Sequence, residues 1–245
     1  MVRYCACFVL VFVLLLNGRA VAEDTPTLKH LALGRILLTD LSPQDTSYAH
    51  KGWVRWKGDF LTSRNEAHTD CSGLMNSLLE RAESPSIDSL KRVAIRGRPQ
   101  AKDYYDLISG EEGFKRIESV AEVLPGDIIA VKYLPGHVML GSENTGHLML
   151  VDARPVSRKS DTRPIVDGTK QWEVTVIDSS KSPHGKNDTR YGEDGSKRDG
   201  VGRGVFRLYS NAQGKPVGFS WSIEGSSNFY DASKRPIVVG RPIVK

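Results

Sequence analysis

Cysteine is scarce in this chain. Of 245 residues only 3 are cysteine, and Cys5 and Cys7 both stand inside an N-terminal apolar run. A disulfide framework needs an even set of thiols in the folded part, so Cys71 alone excludes one. Long hydrophobic stretches are also lacking. None reaches the roughly 18 apolar residues that a membrane-spanning helix requires, so no stable membrane insertion is expected once the N-terminal run is removed. No block of one charge sign is present. Lys and Arg total 34 against 29 Asp and Glu, a formal net charge of +5. That bias is too mild and too dispersed for a nucleic-acid partner, which calls for a concentrated basic stripe with aromatics. Glycine (23) and proline (12) are unclustered, which excludes collagen-like and low-complexity chains. HExxH, paired CxxC and GxxxxGK[ST] motifs are missing and the histidines lack ligand spacing, so no metal or other cofactor is expected. Arg-Pro-Ile-Val recurs at 163–166, 235–238 and 241–244 without a fixed period, so it is no solenoid repeat. Its prolines suit edge strands or turns.

What is present begins with a leader. Met1–Arg3 is basic, Cys5–Leu16 is apolar, Asn17-Gly18-Arg19 breaks the run, and Ala20-Val21-Ala22 precedes Glu23. This is the pattern of a secretory signal peptide cleaved after Ala22, which sends the product to a secreted or periplasmic compartment. Cleavage leaves Cys71 as the one thiol. In an oxidising compartment a lone thiol is buried and inert, bridges to another chain, or acts as a nucleophile.

The remainder, 23–245, reads as a single domain with a core over about 48–224. Apolar spacing predicts helices over 28–40, 71–82, 86–95 and 101–108. Residues 45–68 are polar and read as loop. Short β-rich runs follow at 127–134, 147–152, 172–178, 205–209, 217–223 and 236–239. Helices first and strands second predict an α+β fold with a segregated antiparallel sheet.

Thr69-Asp70-Cys71-Ser72-Gly73-Leu74 carries the chemistry. Thr69 or Asp70 serves as helix N-cap, which sets Cys71 on the first turn. Free N–H groups and the helix dipole there favour a thiolate, the nucleophilic form of cysteine. Ser72 and Gly73 are small and leave room for substrate. A thiolate nucleophile needs a base and an orienter. His137 and His147 lie in similar segments, Pro-Gly-His-Val-Met-Leu and Thr-Gly-His-Leu-Met-Leu. His147 opens the longer apolar strand and is preferred on that ground, because sites belong on rigid elements. Asp178 ends the next predicted strand and can accept from the second imidazole nitrogen, or it caps a turn. Residues 181–204 are rich in glycine and charge and read as a long loop forming one wall of the cleft. In it His184 and Arg190 are candidates for a substrate carboxylate, and Gly202-Arg203-Gly204 for close approach to a ligand. His184 is also a rival to Asp178 or His147. Gly126-Asp127 reads as a structural turn.

Asp70-Cys71-Ser72-Gly73-Leu74, Leu124-Pro125-Gly126-Asp127-Ile128-Ile129 and Gly146-His147-Leu148-Met149-Leu150-Val151 occur in that order. Over about 48–180 they resemble the NlpC/P60 superfamily of papain-like cysteine peptidases. The resemblance implies a papain-like fold with the nucleophile at a helix N-terminus packed on an antiparallel sheet. It implies Cys71 as nucleophile, His147 as base and Asp178 as orienter. It also implies a peptidoglycan stem peptide, or another cell-envelope peptide, as substrate. The family's substrate-recognising tyrosine matches Tyr48 only loosely, since no Gly-Gly follows and the spacing to Cys71 is longer. The expected function is a secreted, monomeric cysteine hydrolase of amide bonds. A papain-like acyltransferase or lipid deacylase and a non-catalytic envelope-binding module are the alternatives.

Overall fold

A computed structural model describes residues 28–94, 97–136 and 144–244. The leader and His137 lie outside these described residues. Helices do lead and strands follow. The order is α1 (Lys29–Asp40), β1 (Thr46–Ser47), β2 (Trp53–Arg55), β3 (Glu66–His68), α2 (Cys71–Arg81), α3 (Pro85–Val93) and α4 (Ala101–Ser109). Then come β4 (Phe114–Ile117), a 3-10 turn (Val120–Glu122), β5 (Ile128–Lys132), β6 (Gly146–Val151), β7 (Val156–Arg158), β8 (Lys170–Ser180), β9 (Gly200–Ser210), β10 (Pro216–Ser220), β11 (Phe229–Asp231) and β12 (Ile237–Pro242). The chain is α+β, with a large antiparallel sheet and four helices among the described residues.

The large sheet runs β11-β10-β9-β8-β6-β5-β12-β4, with β7 also on β8. Side chains alternate across it, as a pleat requires. Ile128, Ala130, Leu148 and Leu150 join a core with Leu74, Met75 and Leu78 of α2 and Leu31 and Leu37 of α1. Their neighbours Ile129, Val131, Met149 and Val151 join a second core. That second core also takes Phe206 and Phe219 from one end of the sheet and Val239 and Ile117 from the other. The sheet therefore rolls over until strands from both ends share one interior. Burial on both faces explains why β6 reads as an unbroken apolar run rather than an alternating one.

Several expectations are corrected. The supposed loop 45–68 holds a small sheet of order β1-β3-β2, in which β1 and β3 are parallel. Two to three residues per strand are too few for a periodic signal to register. The supposed loop 181–204 ends early, because β9 begins at Gly200 and pairs along the whole of β8. Glycine and charge disguised that strand end. Asp178 does not terminate its strand; it sits inside β8, opposite Gly202. β4, β7 and β11 escaped notice because each is three or four residues long. The Arg-Pro-Ile-Val runs at 235–238 and 241–244 flank β12, an interior strand rather than an edge. Pro236 precedes that strand and Pro242 closes it, so neither removes a donor from its middle.

His30 and Asp127 fix the frame around the site. The buried His30 ring bonds the Gly126 carbonyl at 2.8 Å, tying α1 to the turn before β5. Asp127 accepts the Leu124 N–H at 2.8 Å and both arms of Arg241 at 2.8 and 3.0 Å. Its role is that of a turn anchor.

Candidate active site

Cys71 is the first residue of α2, and Asp70 is the N-cap. Asp70 has extended backbone, and its Oδ1 accepts the Gly73 N–H at 2.9 Å. The N–H groups of Cys71 and Ser72 are thus the first two of the helix and have no intrahelical acceptor. Arg98 grips both oxygens of Asp70, and His50 Nδ1 lies 3.3 Å from Oδ2. Burial works to raise the Asp70 carboxyl, but hydrogen bonds from Arg98, Gly73 and His50 and the Arg98 charge hold it below the usual range. The cap is therefore charged as well as hydrogen-bonded.

The thiol meets an imidazole from β6. Gly146 begins that strand with φ +147°, and a Cβ there would sit 1.9 Å from the Val131 carbonyl oxygen. Glycine is what lets β6 close on β5 just before His147. His147 Nε2 lies 2.6 Å from Asp178 Oδ2, and both side chains are buried. That contact leaves Nδ1 for the sulfur. Burial acts to lower the His147 pKa. The charge of Cys71, the hydrogen bonds to Asp178 and Cys71 and the charge of Asp178 outweigh it and raise the imidazole to about 10. The thiol and the imidazole thus act directly on one another.

Asp178 is bracketed more heavily than a simple orienter. His184 Nε2 lies 3.0 Å from the same Oδ2, and Arg190 Nη2 lies 2.8 Å from Oδ1. Burial alone would raise the carboxyl. Arg190 and His184 charges, with hydrogen bonds from both histidines, instead hold it well below the usual carboxylate range. Asp188 fixes Arg190 from the other side, with contacts of 2.8 and 2.7 Å. The second nitrogen of His184 lies 2.7 Å from the Trp221 carbonyl. The Trp221 indole stacks on His184 at 4.2 Å and meets His147 edge-on at 4.8 Å, so one ring shields both imidazoles from water.

These positions correct three assignments. His184 and Arg190 do not face substrate; each is 2% exposed, behind Asp178. Gly202 and Gly204 bring no ligand close either. A Cβ at Gly202 would lie 2.5 Å from Arg190 Nε, and one at Gly204 2.3 Å from Asp188 Oδ2. Their missing side chains make room for the buried arginine and its partner. Nor does 181–204 line the cleft among the described residues.

A cleft of about 710 Å³ opens beside the sulfur. Tyr48, Ser72, Gly146 and Cys71 all line it, so the cleft brings together two of the four residues expected to bind substrate, Tyr48 and Ser72. Burial, then the neighbouring Cys71 and Asp70, push the Tyr48 phenol above its ordinary value, so it is a hydrogen-bond donor. His50, Lys51, Arg98 and Lys102 also line the cleft. Sequence reading passed over them and over Trp221: His50 and Lys51 follow Tyr48 closely but carry no motif of their own, and Arg98, Lys102 and Trp221 lie outside the matched motifs. Arg98 had one signal: Gly97-Arg98-Pro99 marks a turn between two helices.

His147, Asp178 and His184 offer ligand atoms within 4.8 Å of one another, the one such cluster among the described residues. A dication there would face the Arg190 guanidinium across Asp178, and the same atoms already bond each other. The arrangement suits a proton, not a metal.

No family model and no solved structure matches the chain. A curated relative does: "Uncharacterized protein R653" of Acanthamoeba polyphaga mimivirus is 36% identical over 218 residues, covering 86% of this chain and 95% of that protein. Likeness of that depth along nearly the whole of both chains places this protein in one family with it.

Proposed function

We propose that this protein is a cysteine hydrolase of papain-like architecture that cleaves amide bonds, those of peptidoglycan stem peptides above all, after export by its leader. One observation carries the reading: a helix-terminal thiol, an imidazole and a buried carboxylate act on one another in series, with His147 Nε2 2.6 Å from Asp178.

In this reading the Cys71 thiolate attacks the amide carbonyl carbon and forms a C–S bond. The Cys71 N–H, free at the helix start, steadies the oxyanion. The His147 imidazolium gives its proton to the nitrogen of the departing amine, the C–N bond breaks, and an acyl-thioester remains. Neutral His147 then takes a proton from water as the hydroxide attacks. The C–S bond breaks, the carboxylic acid leaves, and the thiolate–imidazolium pair returns. Asp178 holds the ring's orientation throughout.

The lining supports the substrate class. Its described residues include Lys51, Arg98 and Lys102 and no aliphatic side chain. A carboxylate-rich peptide suits that surface better than a lipid acyl chain, which disfavours the deacylase alternative. The test is hydrolysis of a muropeptide panel followed by mass spectrometry. Cys71→Ala and His147→Ala are each expected to lose at least about 10³-fold in kcat/KM, as removal of a nucleophile or its base does. Unchanged hydrolysis in both variants ends the assignment.

A further inference from the structure

The segment joining β2 to β3 holds two large apolar side chains out in water: Phe60 is 93% and Leu61 92% exposed. The loop is nonetheless well tied. Gly58 N–H donates to the Thr62 carbonyl at 3.0 Å, Asp59 N–H to Trp56 at 3.1 Å and Thr62 N–H to Asp59 at 2.7 Å. The buried Trp56 donates to Ser77 Oγ at 3.1 Å, and Arg81 holds Asp59 at 2.6 Å. Leu61 takes φ +58°, a left-handed conformation that an L side chain adopts at a cost. Order and strain together hold an apolar tip where nothing in the described chain covers it.

The surroundings of the tip turn several cations outward, and the half-exposed carboxylate beside it, Asp59, is held by Arg81. A concavity of about 630 Å³ beside it is bordered by Arg55, Arg64, Thr62 and Ser63. The side chains of Arg55 and Arg64 are 58% and 64% exposed, whereas their carboxylate partners Glu66 and Asp45 are 18% and 7% exposed. The negative ends point inward and the guanidinium groups outward. Lys57 adds an exposed ammonium group. Trp53 shares the outward side of β2 with Arg55, whose guanidinium lies 4.0 Å over its ring. Apolar tip, half-exposed indole, outward cations and hydroxyls are the combination that an anionic lipid interface receives. A protein interface of ordinary size buries about 800 Å² per partner around an apolar centre, and a two-residue tip ringed by cations does not supply one.

We propose that this loop docks the protein on an anionic phospholipid surface, with Phe60 and Leu61 entering the boundary between headgroups and acyl chains and Arg55, Arg64 and Lys57 taking the phosphates. The attachment leaves the cleft free. Arg81, which anchors the loop, ends α2, and Cys71 begins it. The 11-residue helix separates them by about 15 Å. The inference stands apart from the catalytic reading and survives its failure.

The experiment is sedimentation of the full chain with vesicles of phosphatidylcholine alone and of phosphatidylcholine with equimolar phosphatidylglycerol. Partitioning into the anionic vesicles is expected to be about tenfold or more stronger, and to fall as salt is raised. A Phe60→Ser, Leu61→Ser double variant is expected to lose about tenfold or more of it, with Lys57→Glu losing less. The apolar leader would hold wild type and double variant alike, so equal sedimentation of the two overturns the proposal. Equal binding to both vesicle types overturns it as well. So does self-association abolished by the double variant with no vesicle binding, which gives the tip to a protein contact. A Leu61→Trp variant supplies a second readout, since its fluorescence must shift to the blue on anionic vesicles.

Discussion

At the scale of the residue, Asp178 decides the most. Its charge and its hydrogen bond help lift His147 to about 10. Replacing it by Asn removes that charge, so in Asp178→Asn the alkaline limb of amide hydrolysis, the step that needs the imidazolium proton, is expected to move from near 10 toward the ordinary histidine value of about 6.5. A limb that stays in place would detach Asp178 from the imidazole. Stability follows the same groups. The His147 pKa is raised on folding, so its contribution is complete below about 6.5 and is lost as pH climbs through about 10. The Asp178 pKa is depressed, so its contribution is present above about 3.9 and is lost as pH falls through its folded value. Melting temperature should therefore decline at both extremes. His147→Gln should flatten the alkaline decline, which differential scanning calorimetry can read; an unaltered decline would assign it to other groups. Cys71, His147 and Asp178 were singled out from motifs and expected strand positions, and the fold brings the last two within 2.6 Å. The burial of Arg190 and His184 was not, because a charged side chain announces its partner only when a third element brings that partner near. Glycines 202 and 204 carried that information, but as an absence of volume.

At the scale of the element, two junctions aim the chemistry. One is the entry to α2. Asp70 caps it, and Ser179 Oγ donates to the Thr69 carbonyl at 2.6 Å, which pins the residue before the cap to β8 beside Asp178. Cys71 and Asp178 are thus held by neighbouring backbones. The other junction is the start of β6. Gly146→Ala would force a Cβ against the Val131 carbonyl at a φ that alanine avoids. The expected result is a loss of about 1–3 kcal/mol in urea unfolding and a fall in hydrolysis larger than that stability loss explains, since His147 is the next residue. Full activity in a folded Gly146→Ala protein would show that the strand start does not aim the ring. Helices were the easier elements to read, because α2 repeats its apolar residues at helical spacing and buries Leu74, Met75, Leu78 and Leu79 completely. The β1–β3 sheet was hidden because its pairing depends on distant backbone, not on its own side chains.

At the scale of the whole molecule, the sheet is closed by the end of the chain. β12 lies between β5 and β4, pairing with both. In one row across the sheet Ile237 faces Val131, and Val131 faces His147. A chain truncated after Pro236 would expose the facing edges of β4 and β5 and lose Ile237, Val238 and Val239 from the two cores. It is expected to lose its cooperative thermal transition and to aggregate, which calorimetry and light scattering would register; a soluble, cooperatively melting truncate would contradict this. The α+β class was readable from the order of helical and alternating runs, whereas the placement of β12 was not. Topology of that kind resides in loop closure across more than a hundred residues, for which no local pattern exists.

Position of the closing strand sets a schedule for biosynthesis. A ribosome releases a chain from its amino end, so β12 emerges after β4 and β5, the two strands between which it inserts. Until then the facing edges of β4 and β5 stay unpaired.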